Sequence, residues 1–264
     1  MRRLPAAAAA VALLALAGCS GPTASPTSAP TSPAPGSSGR SADGHRGDTP
    51  TATAAPSRTP RPATAEVTLD GSAGRGSLVV EAPAGATVTT RPAASGSTRV
   101  TVRHLARGGS VAVHAADPTG ATLRDEVDGT FGLVTSGDAT LGGLSRPDGG
   151  TARGVEGTVV VTASSATVTL WAGTGTPRSA TWGVHEGGKS IAVDANAWAR
   201  ASGQAGAEAT WSALVVEEPA TNMPGMRDQL LCHALGVPDK PTWNLEPWRP
   251  DVGLVATLAA SCNP

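Results

Sequence analysis

The chain has 264 residues, of which 33 are Gly, 22 are Pro and only 3% are aromatic, so any core must be built mostly from small aliphatic side chains. Its formal net charge of −1 removes any general electrostatic reason to bind nucleic acid or an anionic surface. The sequence carries no CxxC, HExxH, GxSxG or SxxK spacing, so no cofactor and no metal is expected from motifs.

Arg2-Arg3 precede an Ala/Leu/Val run that ends in Leu16-Ala17-Gly18-Cys19. A positive start, a short apolar stretch and small residues before a cleavage point describe a secretory signal over residues 1–18. Cys19 at the first mature position makes it a lipoprotein signal, with the thiol as the site of a diacylglyceryl group and the amino end open to a further palmitate-like chain. The expected location is the extracytoplasmic face of the cell membrane, with the membrane itself as a partner through the lipid. Residues 19–63 are Ser, Thr, Pro, Ala and Gly with scattered charge, and have no apolar period to bury. They read as a tether that holds the rest about 35–40 Å from the lipid.

Over residues 64–178 the pattern turns to period two. Glu66-Val67-Thr68-Leu69, Leu78-Val79-Val80, Thr98–Val102, Ser110–Val113, Thr158–Thr162 and Ala166–Leu170 are short β-branched runs bounded by Gly, Pro or Ser. They predict an antiparallel sheet or sandwich with a thin core. His104 and His114 lie in or beside these runs without a partner motif and read as surface or packing residues.

Residues 179–264 differ again and hold five of the six Trp. Thr181–His185 and Lys189–Val193 flank Glu186-Gly187-Gly188 and predict a β-hairpin. Ala207, Trp211, Leu214 and Val215 predict an amphipathic helix over 206–217, and Met223 to Leu235 a second one ending at Gly236. Leu254 to Cys262 predict a third, with Asp251 as N-cap. Beyond Cys19, the two cysteines are Cys232 and Cys262, an even pair in an oxidising compartment, so a disulfide between them is expected. Closing a loop of roughly 30 residues stabilises a small domain by about 3–4 kcal/mol. The fold class is therefore α+β: a β-rich middle followed by a small disulfide-bonded α+β domain.

The block Asn222-Met223-Pro224-Gly225-Met226-Arg227-Asp228-Gln229-Leu230-Leu231-Cys232-His233, then Lys240–Pro250, then Cys262-Asn263-Pro264, resembles the bacterial domain of unknown function 2599, common in secreted actinobacterial proteins. Gly187-Gly188-Lys189-Ser190, Ala197-Trp198-Ala199-Arg200 and Trp211–Leu214 also fit that pattern. The resemblance implies an exported, compact, disulfide-bonded domain and brings no activity with it.

Three roles compete. A non-catalytic binding or structural role in the envelope would use Trp243, Glu246, Trp248 and Arg249, which place two indoles, a carboxylate and a guanidinium within a Pro-stiffened, extended segment. A hydrolase acting on lipid or wall substrate would use His233, beside a disulfide Cys as in secreted phospholipases A2, yet the Asp that should follow the His is absent. An adaptor or inhibitor of another envelope protein would use the tether and the Trp-rich end. The first is preferred, with a cell-wall component or envelope protein as partner and without nucleic acid. The lipid anchor has a direct test: Cys19→Ala moves the protein from the membrane fraction to the medium or leaves the precursor uncleaved. Unchanged mature mass and fractionation would refute it.

Overall fold

The computed structural model describes residues 61–116 and 120–264; the signal segment, Cys19 and nearly all of the tether lie outside the described residues. Eleven strands come first: β1 Ala63–Gly71, β2 Gly74–Ala82, β3 Thr87–Pro92, β4 Thr98–Arg103, β5 Ser110–Ala115, β6 Thr122–Asp125, β7 Phe131–Val134, β8 Thr140–Leu144, β9 Gly150–Val155, β10 Thr158–Ala163 and β11 Thr167–Gly173. They form a five-stranded sheet, β1-β2-β5-β10-β9, and a six-stranded sheet, β3-β4-β11-β8-β7-β6. The two sheets share one apolar core that includes Leu78, Val113 and Val161 from the first and Val102, Leu133 and Leu170 from the second. Period two is plain in β4, where Val100 and Val102 are buried while Arg99 and Arg103 face solvent.

The C-terminal part adds a sheet ordered β12-β13-β14, from β12 Ser179–His185, β13 Gly188–Asp194 and β14 Trp243–Leu245. Its helices are α1 Ala197–Ala201, α2 Gly203–Glu217, α3 Met226–Gly236 and α4 Leu254–Ala259. A second apolar core joins Ile191, Val193, Trp243 and Leu245 of this sheet to Leu214, Leu230 and Leu231 of the helices. Cys232 and Cys262 are bonded, with Cα atoms 5.6 Å apart.

Helix α2 corrects the sequence reading. It is not amphipathic in its first two turns, because every residue from Ala205 to Thr210 is buried. The reason is that α2 lies on the outer face of β7 and β8, whose residues are in turn buried on both faces. Its N-terminal N–H groups are capped by the sandwich: Gln204 N–H donates to Asp128 Oδ2 at 2.8 Å and Ala205 N–H to Thr130 Oγ1 at 3.1 Å. The helix backbone also reaches Gly175, where a Cβ would lie 2.1 Å from the Ala209 carbonyl carbon. Three other expectations shift. Met223 precedes α3, α4 stops before Cys262, and Asp251 accepts from the Gly253 N–H at 3.3 Å while Gly253 itself is the N-cap.

Under α2 lies a buried acid. Glu126 Oε1 has no hydrogen-bond partner among the described residues, and Arg124 is 4.0 Å away. Burial pushes this carboxyl up to about 7; Arg124 and Arg227 oppose the shift, and the carboxylates of Glu208 and Asp128 add to it. The folded chain therefore holds a proton that the unfolded chain has released, and the stability this brings is present below pH ~4.5 and lost as pH rises through ~7. Glu126→Gln should be more stable than the parent at pH 8 by about 1–3 kcal/mol, with the gap closing towards pH 4.5. Denaturant titrations at the two pH values measure it.

Candidate functional site

The hairpin β12–β13 turns through Glu186 and Gly187, both at positive φ (49° and 82°), which matches the right-handed twist of the strands it joins. Its tip meets a second turn, where the Arg249 N–H donates to the Glu246 carbonyl at 3.1 Å with Pro247 next in line. The segment 246–249 is thus a tight turn, not the extended piece its prolines suggested. Trp248 lies on Gly188, where a Cβ would sit 2.1 Å from the indole Nε1. Gly is required at position 188 for the two turns to touch.

Side chains between these turns form a charged cluster. His185 Nδ1 is 2.8 Å from Glu246 Oε1. Arg249 donates from Nε to Glu246 Oε2 and from Nη2 to Glu186 Oε2 at 2.7 Å. Its third nitrogen, Nη1, reaches the Pro264 carbonyl oxygen at 3.4 Å, and its plane stacks over Trp248 at 4.6 Å. Burial alone would push the Glu246 carboxyl up, but the bonds from Arg249 and His185 outweigh it and hold it below the usual carboxylate range. Beside the cluster Thr181, His185, Ser190 and Asn244 line a dimple of about 130 Å³.

Of the four residues expected to bind, three therefore point inward. Trp243 is fully buried in the second core, with the Arg200 guanidinium 5.0 Å from its ring. Glu246 and Arg249 are buried and committed to each other, while Trp248 alone is half-exposed. Arg249 is not presented for a bidentate grip on a ligand carboxylate, because it is 8% exposed and each of its nitrogens already reaches an internal acceptor.

His233 has a different task. Its Nε2 donates to the Asn244 carbonyl at 3.0 Å, and one helical turn earlier Gln229 closes a pair of bonds with Glu246: Nε2 to the carbonyl at 3.0 Å and Oε1 from the N–H at 2.8 Å. Together they occupy the outer edge of β14, whose other edge pairs with β13. Burial lowers the His233 pKa, and its Nδ1 is buried without a partner among the described residues. A general base needs a ring nitrogen open to substrate, and neither of these is.

A second surface was missed in sequence. On the outer face of the six-stranded sheet, Arg91 pairs with Arg99, Thr89 with Thr101 and Thr87 with Arg103 across β3 and β4. Across β4 and β11, Trp171 pairs with Arg99. The guanidiniums of Arg91, Arg99 and Arg103 have no carboxylate within 4.0 Å among the described residues, and they line a shallow groove of about 400 Å³ with Thr89 and Thr101. Trp171 is 38% exposed at the end of this grid, 5.9 Å from Arg99. The signal was present as a Thr/Arg alternation opposite the buried valines of Thr98–Arg103.

Residues 178–264 match the family described as a protein of unknown function (DUF2599). This is the family that the Asn222–His233 block resembles. An uncharacterized protein of Mycobacterium bovis and one of Mycobacterium tuberculosis are each 44% identical to this chain over 69 residues, which is 25% of this chain and 47% of theirs. The chain thus spans about half the length of the curated relatives it matches, and no solved structure matches it.

The clasp on β14 can be tested directly. Gln229→Ala leaves a buried N–H and a buried C=O without partners and should cost about 1–3 kcal/mol. Gln229→Glu keeps the acceptor but sets a buried carboxylate against the Glu246 carbonyl, so at neutral pH it should be no more stable than the Ala variant. Urea denaturation of the three proteins gives the order, and equal stability of all three would disprove the assignment.

Proposed function

We propose that this is a lipid-anchored, extracytoplasmic, non-catalytic binding protein of the cell envelope, and that its partner is an anionic wall polysaccharide held on the outer face of β3, β4 and β11. The observation that carries this reading is the Arg/Thr grid. Like charges directly opposite on neighbouring strands, as Arg91 and Arg99 are, destabilise a sheet unless something neutralises them. The chain as a whole is nearly neutral, so the positive charge here is local. Strands about 4.8 Å apart, with outward residues about 6.6 Å apart along each, present hydroxyls and guanidiniums as a flat lattice. A phosphate or carboxylate repeat along a polymer accepts paired bonds from such guanidiniums. Trp171 adds an apolar plate against which a sugar ring can lie. The Leu16–Cys19 motif and the buried Cys232–Cys262 bond support an exported setting, since such bonds persist in oxidising compartments. The committed geometry of His233 supports a role without catalysis.

Retention on immobilised wall polysaccharide carrying phosphate or uronate groups tests the reading, with a neutral dextran as control. The parent should be retained and should elute as salt rises. Arg99→Glu/Arg103→Glu should bind at least tenfold more weakly, with a melting temperature within about 2 °C of the parent, because both side chains are exposed. Equal retention of the variant, or elution indifferent to salt, would end the proposal.

A further inference from the structure

The cluster at the hairpin tip has carboxylate oxygens that Arg249 does not use. Arg249 takes Oε2 of Glu246 and Oε2 of Glu186. That leaves Oε1 of each carboxylate turned towards the same atom, His185 Nδ1, at 2.8 Å for Glu246 and 4.0 Å for Glu186. The three atoms lie within 4.8 Å of one another. We propose that His185, Glu186 and Glu246 form a divalent transition-metal site, with His185 Nδ1 and one oxygen from each carboxylate as ligands and Arg249 as the outer partner that orients both carboxylates.

Metal–ligand bonds of about 2.0–2.2 Å place neighbouring ligand atoms roughly 3–3.5 Å apart in a tetrahedral set. The His185–Glu246 spacing already lies close to this. Glu186 sits on the exposed tip of the turn and closes the remaining gap by a side-chain rotation. Glu246 is fixed by its buried turn, by Arg249 and by the Gln229 clasp on its backbone, so one ligand is held before the ion arrives. An imidazole with two carboxylates suits Zn²⁺, Mn²⁺ or Co²⁺, whereas Mg²⁺ prefers an all-oxygen shell with several waters. With the imidazole neutral, as metal ligation requires, the carboxylates carry two negative charges against one positive charge on Arg249. The outer bonds from Arg249 do for these carboxylates what outer-shell partners do at metal sites generally: they fix which oxygen faces the ion. His185 and Glu186 are both about half exposed, which leaves the fourth position open to water.

Full-length protein stripped with a chelator and titrated calorimetrically with ZnCl₂ and, separately, with MgCl₂ provides the test. One saturable Zn²⁺ per chain is expected, together with a rise in melting temperature on Zn²⁺ addition. His185→Ala and Glu186→Gln change exposed side chains and should keep the fold. Each should weaken Zn²⁺ at least tenfold and abolish the thermal shift. Removing Cys19 and the residues before it should leave the result unchanged, because the three proposed ligands are His185, Glu186 and Glu246. Absence of saturable Zn²⁺ binding, Zn²⁺ binding that neither variant weakens, or Mg²⁺ bound as tightly as Zn²⁺ would overturn the assignment.

Discussion

A strand of three residues organises the C-terminal part. β14 is too short to hold itself on a sheet, and its place depends on being satisfied from both sides. On one side β13 pairs with Trp243, Asn244 and Leu245; on the other, Gln229 and His233 do with side chains what another strand would do with its backbone. Helix α3, which carries both, is bonded through Cys232 to the turn after α4. Because β14 is held, Trp243 is fixed in the core and Glu246 follows at a set position beneath His185. The clasp also closes an edge that would otherwise be open to another chain.

The sandwich and the C-terminal part are joined by reciprocal needs. Helix α2 begins without a side-chain cap of its own, and Asp128 and Thr130 supply one from the β6–β7 loop. The glycine-containing strands β7 and β8 expose flat backbone that α2 covers, and Thr140 N–H donates to Ser212 Oγ at 2.9 Å across the join. Asn196 adds a further link: its Oδ1 caps α1 while its Nδ2 donates to the carbonyls of Thr174 and Thr176 at the end of β11. Each part thus carries polar groups that only the other can satisfy. The cost of the arrangement is local, in the buried carboxyl of Glu126, with the negative charges of Glu208 and Asp128 adding to it.

What could be read from sequence was whatever depends on neighbours in the chain. The valine alternation of β4 and β10, the Glu186-Gly187 hairpin and the end of α3 at Gly236 are set by local pattern and turn chemistry. The disulfide was legible because the reading of Cys19 as a lipid site left Cys232 and Cys262 as an even pair. Strands β7 and β8 were not, since burial on both faces erases the alternation that announces a half-buried strand. The fully buried start of α2 was hidden for the same reason. At the candidate site, Trp243, Glu246 and Arg249 drew notice by their types, yet their setting comes from Gln229, Arg200 and His185, which are 17 to 61 residues from their partners and carry no shared motif. The alternating Arg and Thr of β3 and β4 were visible as letters. Their meaning waited on the register that sets Arg91 opposite Arg99.

That register has a consequence for how copies of the chain meet. β3 is an edge strand, and its unpaired backbone would offer a template to the same strand of a neighbouring molecule. Pro92 closes the strand and has no N–H to offer, while Arg91 would confront its own counterpart in a parallel, in-register pairing. On the proposed lipid anchor, molecules held in one plane would collide far more often than molecules free in solution. In such two-dimensional crowding, the guanidinium row would disfavour in-register contact between the edges of neighbouring sandwiches.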